Sequence, residues 1–165
     1  MVGTGVQERP GQVVRAESLR DYVGVRRCAT EWFRIDQRRI DMFADTTLDY
    51  QYIHVDSERA KATPAGTTIA HGFLTLSLLP KLIEDIQLVP ENATMLFNYG
   101  LNRVRFPQPV RVNSDVRACM TLTEVREKGP GRILATSEIV VEIKGEAKPA
   151  VIAEWLGMFV LGGAP

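Results

Sequence analysis

Apolar and polar positions along the chain change rhythm several times, and each change marks an element. Ser18 to Val23 reads as a short helix, and Cys28 to Ile35 (Cys-Ala-Thr-Glu-Trp-Phe-Arg-Ile) as a strand. Asp36 follows as a helix N-cap, with Ile35 and Ile40 placed as a hydrophobic staple across it. Ile40, Phe43 and Ala44 then recur at helical spacing, so a short helix runs to about Asp45. Asp56 reads as a second N-cap, opening a turn or two through Glu58 and Ala62. From Ile69 to Ile86 the apolar residues (Phe73, Leu74, Leu76, Leu78, Leu79, Leu82, Ile83, Ile86) lie nearly all round a helix, which predicts a long buried one. Pro80 should kink it or divide it. The remainder alternates as strands do. Asn102, Val104 and Phe106 share one face of 98–106, with Arg103 and Arg105 on the other. Three further strands follow over 112–125, 133–143 and 151–161, with turns at Lys128-Gly-Pro-Gly131 and Lys144-Gly-Glu146. Short turns and no crossover helices favour an antiparallel sheet. The expectation is an α+β protein, one long apolar helix wrapped by a curved antiparallel sheet. Residues 1–15, with Gly3, Gly5, Pro10 and Gly11 and few large apolar groups, read as a loose tail, leaving 16–165 as a single domain.

Composition narrows the function more than the fold. Twenty basic residues balance twenty acidic ones, so the basic excess that phosphate backbones demand is missing and nucleic acid is not expected as a partner. No apolar run approaches the ~20 residues that span a bilayer, so no membrane partner is expected either. The two cysteines, Cys28 and Cys119, have no metal-ligand spacing and are expected to be free thiols in a cytoplasmic protein. No metal site is expected.

The candidate chemistry sits in two segments. There are only two histidines in the chain. His54 follows Asp49 by five in Ala44-Asp-Thr-Thr-Leu-Asp-Tyr-Gln-Tyr-Ile-His-Val-Asp56, and His71 lies in Gly66-Thr-Thr-Ile-Ala-His-Gly72. A carboxylate and an imidazole tethered this closely can share a water or divide one proton transfer, which points to acid/base work on a small molecule. Two histidines do not assemble a credible Ser-His-Asp set, and no Gly-rich phosphate loop precedes a helix.

The run Phe43 to Asp56, followed by Gly66-Thr-Thr-Ile-Ala-His-Gly-Phe-Leu-Thr-Leu-Ser77, resembles the hydratase motif of the MaoC-like (R)-specific enoyl-CoA hydratases. Asn98-Tyr-Gly-Leu-Asn-Arg-Val-Arg-Phe-Pro-Gln-Pro-Val110 adds a likeness to the branch related to nodulation protein N. The resemblance implies a hotdog fold and reversible syn hydration of a trans-2-enoyl-CoA to an (R)-3-hydroxyacyl-CoA. Asp49 and His54 would form the catalytic dyad. Water addition needs a base at C3, an acid at C2 and donors for the enolate-like oxygen. A neutral imidazole suits the first task. Asp49 orients the water, and carries the proton to C2 if burial raises its pKa. Which member serves which carbon is open. Gly72, at the start of the buried helix, is the choice for the oxyanion N–H. Ser77 matches the family's serine and is given a supporting role, against the plainer reading of a satisfied core hydroxyl. His71, Asn98, Asn102, Arg103 and Arg105 are the substrate-binding candidates. For His71 packing or backbone bonding is the competing reading, and for the two arginines a solvated sheet face. No cofactor is expected beyond the coenzyme A carried by the substrate, and fold analogy implies a homodimer. One departure is visible: Leu48 stands where the family often has glycine before the aspartate. The alternatives are a hotdog acyl-CoA thioesterase and a non-catalytic acyl-binding subunit.

Overall fold

The computed structural model describes residues 11–163. Five antiparallel strands in the order β2-β6-β7-β8-β5 form the main sheet: β2 (Arg26–Cys28), β6 (Ser114–Glu127), β7 (Arg132–Ile143), β8 (Val151–Leu161) and β5 (Ala93–Arg105). A sixth, β3 (Phe33–Ile35), pairs with β6 beside β2. The long strands match the alternating stretches of the sequence, and the turns between them use the glycines expected. Gly129, Gly131 and Gly145 take φ of 106°, 66° and 82°, a region open mainly to glycine.

The expected strand over 28–35 is two strands. Cys28 pairs with Cys119 and Phe33 with Val116. Four residues therefore lie between the first pair members and only two between their partners, so the chain must loop outward at Thr30 and Glu31, both exposed. That register also sets Cys28 directly across from Cys119, and the two form a disulfide that joins positions 91 residues apart. The free-thiol expectation is corrected accordingly. Spacing along the chain carries no sign of this pair, because it arises from strand register.

Residues 11–15 depart from the loose tail expected of them. Gln12–Val14 forms β1, parallel to β4 (Leu88–Pro90), and Val14 is buried. A 3-10 helix over Glu17–Tyr22 stands where a short helix was expected and buries Leu19. Residues 1–10 lie outside the described residues.

The long helix over 69–86 is also corrected. It is two short helices, α4 (Gly72–Ser77) and α5 (Leu79–Leu82), meeting at Leu78. Pro80 falls in the first turn of α5, where its missing N–H has no helical partner to lose, whereas a continuous helix would set its ring against the carbonyl of Leu76. The pair still fills the concave side of the sheet. Leu74, Leu79, Leu82, Ile83 and Ile86 pack against Val116, Ile139, Val141 and Trp155. Burying a side chain such as Ile83 contributes roughly 1.5–3 kcal/mol. Phe73 departs from the pattern and is exposed.

Candidate active site

Two helix caps place the site. Asp36 accepts from Arg39 N at 2.9 Å and starts α1 (Gln37–Thr47), with Ile35 and Ile40 both fully buried across it. Asp56 accepts from Arg59 N at 3.0 Å and starts α3 (Ser57–Ala60). Between them α1 ends on Leu48 in the left-handed region (φ 61°, ψ 23°), and the chain turns through Asp49 into the single turn α2 (Tyr52–Val55). Leucine thus adopts the conformation glycine reaches freely, at a cost of about 1–2 kcal/mol. It does so on the surface, 77% exposed, where its side chain meets no steric demand from the core.

His54 and His71 come together. Their rings stack at 3.7 Å between centroids with 24° between planes, and Phe43 tilts against His71 at 5.1 Å. Both histidines are buried while Asp49 is exposed. The burial invoked for Asp49 from sequence is therefore absent. His54 Nδ1 lies 2.7 Å from the carbonyl oxygen of Ile69, and His71 Nε2 lies 3.0 Å from that of Asp49. A carbonyl only accepts, so each of these nitrogens carries a proton and donates it. The lone pairs are left on His54 Nε2 and His71 Nδ1. His71 Nδ1 is buried without a hydrogen-bond partner. Burial pushes the His54 pKa down, against the opposing pull of its bond to Ile69, and the neighbouring His71 lowers it further. The imidazole is thus neutral at physiological pH, in the state a base requires.

The supports of this arrangement carry no signature in the sequence. Gln37, in the first turn of α1, donates from Nε2 to the His54 carbonyl at 2.8 Å and to Asp41 Oδ1 at 2.8 Å. Its Oε1 accepts from the buried Thr68 Oγ1 at 2.6 Å. A glutamine after an N-cap looks like any helix-start polar residue, and only the packing of α2 against α1 reveals its task.

Gly72 is the first residue of α4, so its N–H has no acceptor within the helix. A Cβ there would lie 3.1 Å from the Phe106 ring, so the ring lies close over the glycine and would have to shift to admit a side chain. Ser77 is exposed, at the other end of α4. It lines a surface cleft of about 340 Å³ with Leu76, Pro80, Asn98, Leu101 and Trp155. The Asn98 amide oxygen accepts from Trp155 Nε1 at 3.2 Å, and Asn102 bonds Glu154. Arg103 and Arg105 lie in a separate cleft of about 730 Å³ that they share with Glu124, Glu138 and Glu154. The dyad, His71 and Gly72 line neither cleft. Of the residues singled out from sequence, the fold gathers Asp49, His54 and His71 in one cluster and keeps the sheet residues apart from it.

The comparison with known proteins decides the family. Residues 9–143 match the family described as "MaoC like domain". The chain belongs to that family. As a member of the MaoC-like family it is 50% identical over 131 residues to 3-hydroxyacyl-thioester dehydratase Z of Mycobacterium tuberculosis, covering 79% of this chain and 86% of that protein. It is 47% identical over 128 residues to nodulation protein N of Rhizobium leguminosarum bv. viciae, covering 77% and 80%. Among solved structures, the (R)-hydratase from A. caviae involved in PHA biosynthesis superposes with a TM-score of 0.66 at 25% identity, covering 82% of this chain and 94% of that one. The MaoC-like membership and the hotdog architecture implied by the motifs are therefore both established.

Proposed function

We propose that the protein catalyses the reversible syn hydration of a trans-2-enoyl-CoA thioester to an (R)-3-hydroxyacyl-CoA, with the dehydration as its reverse. The observation that carries this reading is the pairing of a neutral, buried imidazole, its Nε2 free, with the Asp49 carboxylate at the surface. A water held between them has a base on one side and an orienting acceptor on the other. In hydration His54 Nε2 takes the proton as oxygen bonds to C3. The His54 imidazolium then returns that proton to C2 from the same side, which restores the neutral base and makes the addition syn. Gly72 N–H faces the thioester oxygen, where negative charge gathers as C2 becomes enolate-like, and Phe106 over Gly72 shields that contact from water. Ser77 stays in a supporting place along α4. Asn98 and Asn102 brace the sheet rim. Arg103 and Arg105 are assigned to the coenzyme A phosphates at that rim, where Glu154 is already engaged by Asn102. No cofactor beyond the substrate's own coenzyme A takes part in the proposal.

The names of the relatives support thioester dehydration and hydration rather than thioester cleavage. The test uses crotonyl-CoA, followed by the absorbance of the conjugated double bond and by a thiol reagent. Loss of absorbance without free thiol is expected. Release of thiol would assign the protein to thioester cleavage, and no change with several chain lengths would assign it to acyl binding alone.

A homodimer belongs to the same proposal. The outer edge of β5 has no strand beyond it in the described sheet, and Met95, Phe97, Tyr99 and Leu101 on this strand are exposed. Phe73 and Phe106, beside Gly72, continue the apolar surface. Exposed apolar side chains on an outermost strand favour association, and a second copy seated there would also wall the site. Light scattering should give twice the mass of one chain, and a monomer would remove this part of the reading. Among the described residues no helix is long and apolar enough to cross a membrane. A cytoplasmic location is proposed with it, and fractionation of the cells that make the protein should recover it in the cytoplasmic fraction.

A further inference from the structure

We propose that Asp49, His54 and His71 together form a binding site for a divalent first-row transition ion, zinc above all, and that an ion bound there blocks the water-handling dyad. One donor atom from each of the three residues lies within 4.8 Å of the others. The ring nitrogens are prepared for a metal in a specific way. Each imidazole already donates one N–H to a backbone carbonyl, His54 to Ile69 and His71 to Asp49, which fixes its tautomer and turns the other nitrogen into a bare lone pair. That is the arrangement in which metal-binding histidines are usually held. His71 is the telling residue. Packing and the bond to Asp49 account for its ring and its Nε2, but its Nδ1 is buried with nothing to accept from.

The donor set selects the class of ion. Two neutral imidazoles and one carboxylate suit zinc, cobalt, nickel or ferrous iron with positions left for water. Magnesium and calcium prefer all-oxygen shells and are poorly served. Tetrahedral ligands at ~2.1 Å from zinc lie about 3.4 Å apart. The rings stack face to face, so a tilt of one ring is needed to bring both lone pairs onto one ion, and the exposed Asp49 carboxylate, held only by a 3.4 Å bond from Gln51 N–H, can swing in to close the remaining gap. The ion would occupy His54 Nε2 and the Asp49 carboxylate, the atoms assigned above to water. Binding itself rests on geometry alone, and only the block on turnover rests on the hydration reading.

The experiment titrates the whole chain, stripped with a chelator, with zinc chloride alone by calorimetry and with cobalt chloride by visible absorption. One ion per chain is expected, with cobalt bands of a mixed nitrogen and oxygen shell. His71→Asn and Asp49→Asn should each weaken binding by at least about tenfold, with circular dichroism confirming that each variant is folded. In the crotonyl-CoA assay zinc should inhibit the unmodified protein, and a chelator should restore the rate. The zinc concentration for half-inhibition, scaled to each protein's own rate, should rise at least about tenfold in His71→Asn. Absence of stoichiometric binding, or binding unaltered in both variants, would overturn the site. Binding without inhibition would overturn the block. Should no enoyl thioester be hydrated, the functional reading falls, and the titrations still decide the metal site.

Discussion

The strands β6, β7 and β8 and the segment 48–72 are held by opposite means. In the sheet, each residue of β7 from Arg132 to Val141 is paired to β8, and most are paired to β6 as well. The order of the sheet is spread over many equivalent backbone bonds, and no single side chain decides it. The segment 48–72 has short helices, one isolated bridge between Ile69 and Arg111, and a few side-chain bonds that set its chemistry: Gln37 to the His54 carbonyl, Thr68 to Gln37, His54 to Ile69 and His71 to Asp49. The difference teaches where damage should appear. A substitution in the segment alters the position of one catalytic group and leaves the sheet standing, so activity and stability should separate there.

The largest effect tests this separation at the dyad. Asp49→Asn and His54→Ala should each lower the hydration rate by about 10²–10⁴-fold, the range for a positioned acid or base. Asp49 is exposed, so its variant should unfold within ~0.5 kcal/mol of the parent. Near-normal turnover in either variant would remove the dyad assignment. A large loss of stability in Asp49→Asn would instead undo the contrast between the two regions.

Next comes Gln37→Leu. It leaves the Thr68 hydroxyl and the His54 carbonyl short of a partner, worth about 1–3 kcal/mol if they stay dry. The rate should fall roughly tenfold, a 1.4 kcal/mol change in barrier, through misplacement of His54. Thermal unfolding and the steady-state rate would be measured side by side. Lost stability with an unchanged rate would show that Gln37 braces the helix and does not position the histidine.

The pH dependence is smaller but has a definite sign. Burial holds the folded His54 below its ordinary value of about 6.5. The acid limb of kcat/KM should therefore lie below pH 6.5. The unfolded chain takes up this proton first as pH falls, so His54 stabilises the fold above pH 6.5 and that stabilisation drains away as pH drops toward the folded pKa. An acid limb above 6.5 in the parent would contradict the burial argument. Putting asparagine at position 71 removes one neighbour that lowers His54, and the limb should move up.

Much of this contrast can be read in the sequence, and the reasons are particular. Asp36 and Asp56 are visible as caps because capping is local, and both accept the expected N–H. The strands β6 to β8 are visible because alternation and glycine turns are local too. Asp49, His54 and Gly72 stand out through motif resemblance. What stays hidden depends on contacts distant in sequence. The Cys28–Cys119 bond follows from the register of β2 on β6, and β1 exists because β4 offers it an edge. Gln37 and Thr68 meet across 31 positions. The tilt of Asn98 and Asn102 toward Trp155 and Glu154 likewise depends on irregular register between β5 and β8 that no alternation pattern reports.

Leu48 supplies the smallest and sharpest test, because it is the one place where the segment accepts strain in its backbone. Replacing it by glycine removes the left-handed penalty of about 1–2 kcal/mol for an L side chain. Glycine also loosens the unfolded chain, which returns roughly 0.5–1 kcal/mol of the gain. The leucine side chain is mostly exposed and has little packing to lose. Leu48→Gly should therefore stabilise the protein by about 0.5–1 kcal/mol, a rise in Tm of about 1–4 °C for a chain of this size. A fall in Tm would mean that Leu48 is buried in use, against a partner copy for example. The rate adds the second half of the test. If the strained residue only ends α1, turnover should be unchanged by the glycine. If turnover falls while Tm rises, the stiffness of leucine at φ 61° is holding Asp49 in place, and the strain at this position belongs to the catalytic site.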